Sequence, residues 1–173
     1  MRTVLSGPAW VLTDAQGALI SDVDTDMIFH NRHLHVTDVA QMGRYALGNL
    51  AGWQDFATRV RPGDIVIAGT NFGCGSSRQQ AVDCFRSLGI AALVAVSFGA
   101  IYFRNAVNTG WPVFACPALT TTVVATGDEV EVDWLHARWR NATRNAELPP
   151  LKHVSAVQLE IMRAGGLFAL RPS

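Results

Sequence analysis

The residues best suited to chemistry are those from Asn71 to Arg78, which read Asn-Phe-Gly-Cys-Gly-Ser-Ser-Arg. Two glycines at a spacing of two favour a tight turn and a close approach of the backbone to a ligand. Ser76 and Ser77 offer hydroxyl groups, and Arg78 adds a planar set of donors suited to gripping a carboxylate or phosphate. The stretch therefore predicts an anion-binding corner with a hydroxyl that can react.

A strand and a helix are expected to position this corner. Residues 64–69 form a short apolar run typical of a strand, and residues 77–88 carry apolar side chains at helical spacing. We expect Ser76 or Ser77 to cap the start of this helix. A helix start attracts anions through its unpaired N–H groups and its dipole.

The chain beyond the corner continues the same alternation. Residues 90–96 are typical of a strand covered on both faces, residues 100–109 of a helix, and residues 111–114 of a further strand. The order β-α-β-α-β predicts a parallel sheet with crossover helices. We therefore predict an α/β fold, and the length favours one domain over residues 1–173.

Further elements are expected on both sides of this core. The pattern predicts strands at 4–11, 123–124, 129–134 and 137–141, a helix at 39–48 capped by Thr37 or Asp38, and a helix at 155–163 with Val157 and Ile161 inward.

Composition excludes several functional classes. The 14 basic and 14 acidic residues balance, so there is no general basic field for nucleic acid. No apolar run reaches the roughly 18–20 residues that span a bilayer, and Gly and Pro interrupt the first ten residues, unlike a signal peptide. We expect a cytoplasmic protein that does not bind nucleic acid or enter a membrane.

The residues do not indicate a metal centre in this chain. Cys74, Cys84 and Cys116 form no Cys-x-x-Cys pair, although Cys74 lies in the glycine turn and a reactive role stays open. The acids of segment 21–26 lack the glycine and closing glutamate of a calcium loop. Segment 30–35 is rich in histidine, and a zinc cluster, a solvated loop and a loop that reads a polar or anionic substrate are the alternatives.

The motifs together resemble the small subunit family of 3-isopropylmalate dehydratase, which is similar to the swivelling C-terminal domain of aconitase. The resemblance runs along nearly the whole chain and is carried by Asp22–Asp26, Gly63–Gly69, Asn71–Arg78, Ser97–Asn105 and Ala164–Leu167. It implies a swivelling β/β/α sandwich. It also implies a hydro-lyase that isomerises 2- and 3-isopropylmalate through a cis-alkene diacid in leucine biosynthesis.

The resemblance also implies roles for individual residues. Ser76 would be the catalytic base that removes a proton next to a carboxylate, while Ser77 and Arg78 would hold substrate carboxylates. Asp26 would lie at the edge of the active site. The loop with Arg32, His33 and His35 falls where the family places its substrate-selecting residues.

A partner is implied as well. A hydroxyl group that leaves needs a Lewis acid, and the family supplies a [4Fe–4S] cluster held by three cysteines of a separate large subunit. We expect this chain to hold no cofactor itself and to be inactive without that partner.

Two departures from the family pattern leave the substrate open. Gln79 stands where glutamate is common, and His33-Leu34-His35 replaces an aromatic-Leu-Arg pattern in the selecting loop. The substrate is a small hydroxy-dicarboxylate or tricarboxylate, with homoaconitate, citramalate and dimethylmalate as alternatives to isopropylmalate. A non-catalytic paralogue that binds an anion or nucleotide is the alternative from another class.

Overall fold

The protein is described by a computed structural model over residues 3–170. These residues form a seven-stranded mixed sheet with the strand order β4-β3-β2-β1-β5-β6-β7. The strands are β1 (Val4–Val11), β2 (Ile65–Ala68), β3 (Ala92–Ala95), β4 (Val113–Ala115), β5 (Glu129–Asp133), β6 (Arg138–Asn141) and β7 (Ala146–Glu147).

The sheet is parallel in one half and antiparallel in the other. Strands β1 to β4 pair in parallel, with Val66 opposite both Trp10 and Leu93, whereas β5 pairs antiparallel with β1 and with β6. A parallel pair needs a crossover connection. Helices between successive parallel strands supply it, so the predicted β-α-β-α-β core is confirmed.

The helices in residues 3–170 are α1 (Thr25–Ile28), α2 (Val39–Met42), α3 (Phe56–Arg59), α4 (Gln80–Ser87), α5 (Ala100–Asn108) and α6 (Ala156–Ala164), with 3-10 turns at Asn31–His33, Gly43–Tyr45 and Leu167–Ala169. Five of these six helices contribute buried residues to one face of the parallel half, and α6 contributes Ile161 to that face and Met162 to the other. The crossover helices are α4 and α5, which follow β2 and β3.

The sheet separates two apolar cores. Along β2, Val66 and Ala68 pack with the helices, while Ile65 and Ile67 pack with Val130 and Val132 of β5 on the other face. This alternation follows from the two-residue period of a strand. Because both faces are covered, β2, which leads to the glycine-rich corner, is fully buried. The strand therefore fixes the position at which the corner begins.

Three predicted details are wrong. The helix expected at 39–48 ends at Met42, because the chain turns so that the N–H of Leu47 bonds the carbonyl of Ile28. Residues 123–124 form no strand. Val157 is 63% exposed, because α6 turns Met162 inward beside Ile161, whose predicted burial is confirmed.

The caps of two helices follow from the sequence. Asp38 accepts a hydrogen bond from the N–H of Ala40 at the start of α2, as predicted. Ser155 caps α6 through a reciprocal pair of bonds with Gln158. Within residues 3–170, the search for a helix of sufficient length and apolarity to cross a membrane found none.

Candidate active site

The glycine-rich corner leaves the carboxyl end of β2 between two other loops. The N–H of Gly73 bonds the carbonyl of Val23 at 2.7 Å, and the N–H of Phe72 bonds the carbonyl of Ser97 at 3.0 Å. In α/β sheets, ligands bind outside the carboxyl ends of the strands. The corner therefore lies where this fold class places its sites, fixed from both sides by backbone hydrogen bonds.

Gly73 is required at its position for two reasons. Its φ of +76° lies in the left-handed region, and a Cβ there would come within 2.2 Å of the Tyr102 ring. Tyr102 is buried and its hydroxyl donates to the carbonyl of Ala81, so the ring has no room to move aside. The glycine lets the loop pass directly over α5.

We expect Gly73→Ala to destabilise the fold more than Gly17→Ala does. Gly17 has a similar φ of +81° but open space around it, so both variants carry the left-handed cost of about 1–2 kcal/mol. Only Gly73→Ala adds the overpacking cost of about 1–3 kcal/mol. Chemical denaturation of both variants measures the difference, and equal losses of unfolding free energy would contradict the clash.

The serines do not cap the following helix, so that prediction is wrong. Helix α4 begins at Gln80, its N-cap is Gln79, and no side chain caps it. The chain first takes a bend at Gly75, which has a φ of +92°, and then runs irregularly to Gln79. The bend holds Ser76 and Ser77 out on the surface instead of at the first helical turn.

The loop provides anion-binding groups of its own. The N–H groups of Gly75, Ser76, Ser77 and Arg78 meet no hydrogen-bond acceptor within residues 3–170. Successive free N–H groups on a bent loop form a concavity that binds anions. Anion binding stays a prediction, and the groups available for it are the N–H groups of the loop.

The two serine hydroxyls face solvent in different surroundings. The backbone of Ser76 is anchored by Thr25, whose hydroxyl donates to the Ser76 carbonyl at 3.0 Å. The Ser77 hydroxyl accepts a hydrogen bond of 3.4 Å from Asn105 on α5. Both residues are exposed, so a ligand has direct access to either oxygen.

Arg78 is held by the segment around α1. Its Nη1 donates to the Asp26 carboxylate at 2.9 Å and to the carbonyl of Phe29 at 2.6 Å, with a longer contact of 3.4 Å to the carbonyl of Thr25. Only 11% of the side chain is exposed. All three contacts are made by Nη1, and the other guanidinium nitrogens have no hydrogen-bond partner within residues 3–170.

Asp26 is bonded at both carboxylate oxygens. Oδ1 accepts from Arg78 and from the N–H of Asn31, and Oδ2 accepts from the side chain of Asn49 at 3.2 Å. The hydrogen bond from Arg78 is the main reason that the pKa of Asp26 lies below its ordinary value. A charged carboxylate in these contacts holds the arginine in place.

The predicted selecting loop joins the site through Asp26. The 3-10 turn at Asn31–His33 leaves Arg32 and His35 exposed, and the His35 ring contacts the Arg32 carbonyl at 3.0 Å. His33 instead stacks on Tyr45 with the ring centres 3.9 Å apart. Burial, followed by the nearby charges of Arg32, His30 and His35, lowers the pKa of His33 and so favours the neutral ring.

The described residues do not fit an iron–sulfur cluster. They contain no group of three or more His, Cys, Asp or Glu side chains arranged to hold a metal ion. Cys84 and Cys116 are buried in the two cores on opposite faces of the sheet. Burial raises the pKa of all three thiols, including that of Cys74, where Asp22 and Asp24 add to the effect.

Two residues of the candidate site were not predicted from the sequence. Asn105 contacts Ser77 across 28 positions, and Asn49 contacts Asp26 across 23 positions. Asn105 lies in a segment that carries the family resemblance, which was a usable signal. For Asn49, no local pattern in the sequence marks the contact.

The sequence of this chain is similar to those of known proteins. The family model described as the aconitase C-terminal domain matches residues 21–113. A 3-isopropylmalate dehydratase small subunit of Moorella thermoacetica is 40% identical over 147 residues, covering 85% of this chain and 86% of the relative. The methanogen homoaconitase small subunit of Methanothermobacter thermautotrophicus is 35% identical, covering 96% of this chain and 90% of the relative.

A solved structure extends the similarity to three dimensions. The crystal structure of 3-isopropylmalate dehydratase from Methanocaldococcus jannaschii superposes with a TM-score of 0.82 and 32% identity, covering 96% of this chain and 92% of that one. The α/β fold and its mixed sheet are thus those expected from the resemblance. The chain belongs to the aconitase C-terminal domain family, within its group of 3-isopropylmalate dehydratase small subunits.

Proposed function

We propose that this chain is the small subunit of an aconitase-type hydro-lyase that interconverts 2- and 3-isopropylmalate through a cis-alkene diacid. Family membership supports the reaction class. The observation that carries the site assignment is the exposed loop from Gly75 to Arg78, in which a serine hydroxyl, free N–H groups and a fixed guanidinium lie together.

Ser76 acts as the base in this proposal. A serine hydroxyl is a weak base unless its alkoxide is stabilised. In this proposal the loop N–H groups and the Arg78 guanidinium, two positions along the chain, stabilise the alkoxide, and their effect is stronger once water is excluded. The alkoxide then takes the proton from the carbon next to a substrate carboxylate.

Arg78 and Ser77 bind that carboxylate. The guanidinium offers parallel donors that match the two oxygens of a carboxylate. The Ser77 hydroxyl, which accepts from Asn105, has its own proton free to donate to the substrate. Binding at both groups fixes the α-carbon near Ser76, which turns proton removal into a step between positioned groups.

The exposed loop around Arg32, Leu34 and His35 selects the remainder of the substrate. Leu34 is 39% exposed and offers apolar contact to an isopropyl group, while Arg32 and His35 suit a further carboxylate. The second kind of contact favours homoaconitate as the alternative substrate, and one relative carries the homoaconitase name. Citramalate and dimethylmalate are smaller members of the same class.

A partner subunit completes the enzyme in this proposal. The relatives are named as small subunits, and the exposed serine loop has no cover within residues 3–170. Since the described residues offer no cluster ligands, we assign the [4Fe–4S] cluster to the large subunit. We place the complex in the cytoplasm.

The test is reconstitution with a cluster-bearing large subunit of this family. We expect hydration of the cis-alkene diacid, followed as loss of alkene absorbance, and no turnover by either subunit alone. The same assay with homoaconitate, citramalate and dimethylmalate ranks the substrates. Absence of turnover with all of them, together with tight binding of ATP by the isolated chain, would favour the nucleotide-binding alternative.

A further inference from the structure

A strained turn at Leu47 is bonded to α1, the helix that carries Asp26. Leu47 is fully buried yet has a φ of +57°, a conformation that residues with a side chain rarely adopt. Backbone strain of this kind is unfavourable and concentrates at functional positions. The N–H of Leu47 bonds the carbonyl of Ile28 at 2.8 Å, so the turn is fixed to the end of α1.

The turn presents the side chain of Asn49 to Asp26. Nδ2 of Asn49 lies 3.2 Å from the Asp26 carboxylate oxygen Oδ2 and 3.3 Å from the Asp26 carbonyl. The two hydrogens of one amide nitrogen can be donated to both acceptors together. Asn49 therefore grips the backbone and the side chain of the same residue.

The bonds from Asn49 to Oδ2 and from the N–H of Asn31 to Oδ1 together orient the carboxylate. With Oδ2 bonded to Asn49, Oδ1 is directed at Nη1 of Arg78. The His30 ring offers a competing partner, because its Nε2 lies 4.0 Å from Oδ2. If the Asn49 amide is removed, Oδ1 keeps its bond from the N–H of Asn31 but Oδ2 loses its donor. The carboxylate can then tilt towards His30 and weaken its hold on Arg78.

We propose that Asn49 is a positioning residue that fixes the orientation of the Arg78 guanidinium through the Asp26 carboxylate. The inference rests on the proposed function, since it assumes that Arg78 binds the substrate. It goes beyond that function by assigning a role to a surface asparagine and a purpose to the strained turn at Leu47. Asn49 itself need not touch the substrate.

The first test uses the isolated chain and does not depend on activity. In the ¹⁵N-labelled protein, the guanidinium signals of Arg78, assigned by their loss in Arg78→Lys, should shift and exchange faster with water in Asn49→Ala. Gln54→Ala removes a nearby exposed amide for which the structure gives no hydrogen bond, and it should leave them unchanged. Arg78 signals in Asn49→Ala identical to those of the wild type would overturn the inference.

The second test uses the reconstituted complex. Asn49→Ala should raise KM about 2- to 10-fold, the factor for one hydrogen bond, with little change in kcat. In an Arg78→Lys background the same change should have no further effect, because the group through which it acts is gone. If the KM factors of the two substitutions multiply in the double variant, the inference is overturned while the proposed function stands. If the wild-type complex is inactive, only the proposed function fails.

Discussion

Ser76→Ala is expected to lower kcat of the reconstituted complex about 10²–10⁴-fold, the contribution of a positioned general base. The hydroxyl is exposed and makes no hydrogen bond within residues 3–170, so its removal should not disturb the fold. The Ser76 carbonyl, which anchors the loop to Thr25, is kept in the variant. Steady-state kinetics gives the loss, and size-exclusion chromatography should show the intact complex.

Ser77→Ala is the matched control for this prediction. It removes the same hydroxyl from the adjacent position in the same loop, but Ser77 is assigned to binding. We expect its main effect on KM, with a much smaller loss of kcat. If Ser76→Ala keeps full activity, or if the two variants lose kcat equally, Ser76 is not the base.

Arg78→Lys raises KM about 10- to 100-fold, the range for loss of a hydrogen bond to a charged group. The guanidinium contacts the Asp26 carboxylate and the Phe29 carbonyl with Nη1. In the proposed function its other nitrogens bind the substrate carboxylate. A lysine ammonium has one nitrogen for all of these partners and cannot reproduce the parallel donors. Substrate titration of the reconstituted complex measures the change.

Arg86→Lys supplies the control for charge-conserving substitution. Arg86 forms an ion pair of the same 2.9 Å length with Asp83 on α4, but its side chain is 39% exposed and lies on the helix surface. Arg86 has no assigned role in substrate binding, and lysine keeps the positive charge beside Asp83. KM should stay at the wild-type value in Arg86→Lys, and an equally unchanged KM in Arg78→Lys would remove Arg78 from carboxylate binding.

The parallel core could be predicted from the sequence because its signals are local. Strands β2 and β3 are short apolar runs, and both are buried on each face. Helix α4, which lies between them in the chain, buries apolar side chains at the predicted spacing, among them Ala81 and Phe85. Each element is specified by its own few residues, so burial and periodicity were sufficient.

The turns that shape the site could not be predicted in the same way. Helix propensity favoured a helix through residue 48, but the bond between Leu47 and Ile28 ended it after one turn. Serines before a helix-like run suggested a cap, yet the bend at Gly75 moved them away from α4. In both cases tertiary contacts outweighed local preference.

The site residues could also be predicted only in part. Asp26 and Arg78 are 52 positions apart, and only the family resemblance placed both near one site. The structure adds that they contact each other, a pairing that no spacing in the chain indicates. Their roles in the reaction stay predictions until the variants above are measured.

The state of the cysteines affects how the complex can be labelled. Alkylating reagents react with thiolates that solvent can reach. Cys84 and Cys116 are buried, Cys74 is partly covered, and the pKa of each thiol is raised. The native chain therefore contributes little fast-reacting thiol at neutral pH, and rapid iodoacetamide uptake by a reconstituted complex reports on the other polypeptide.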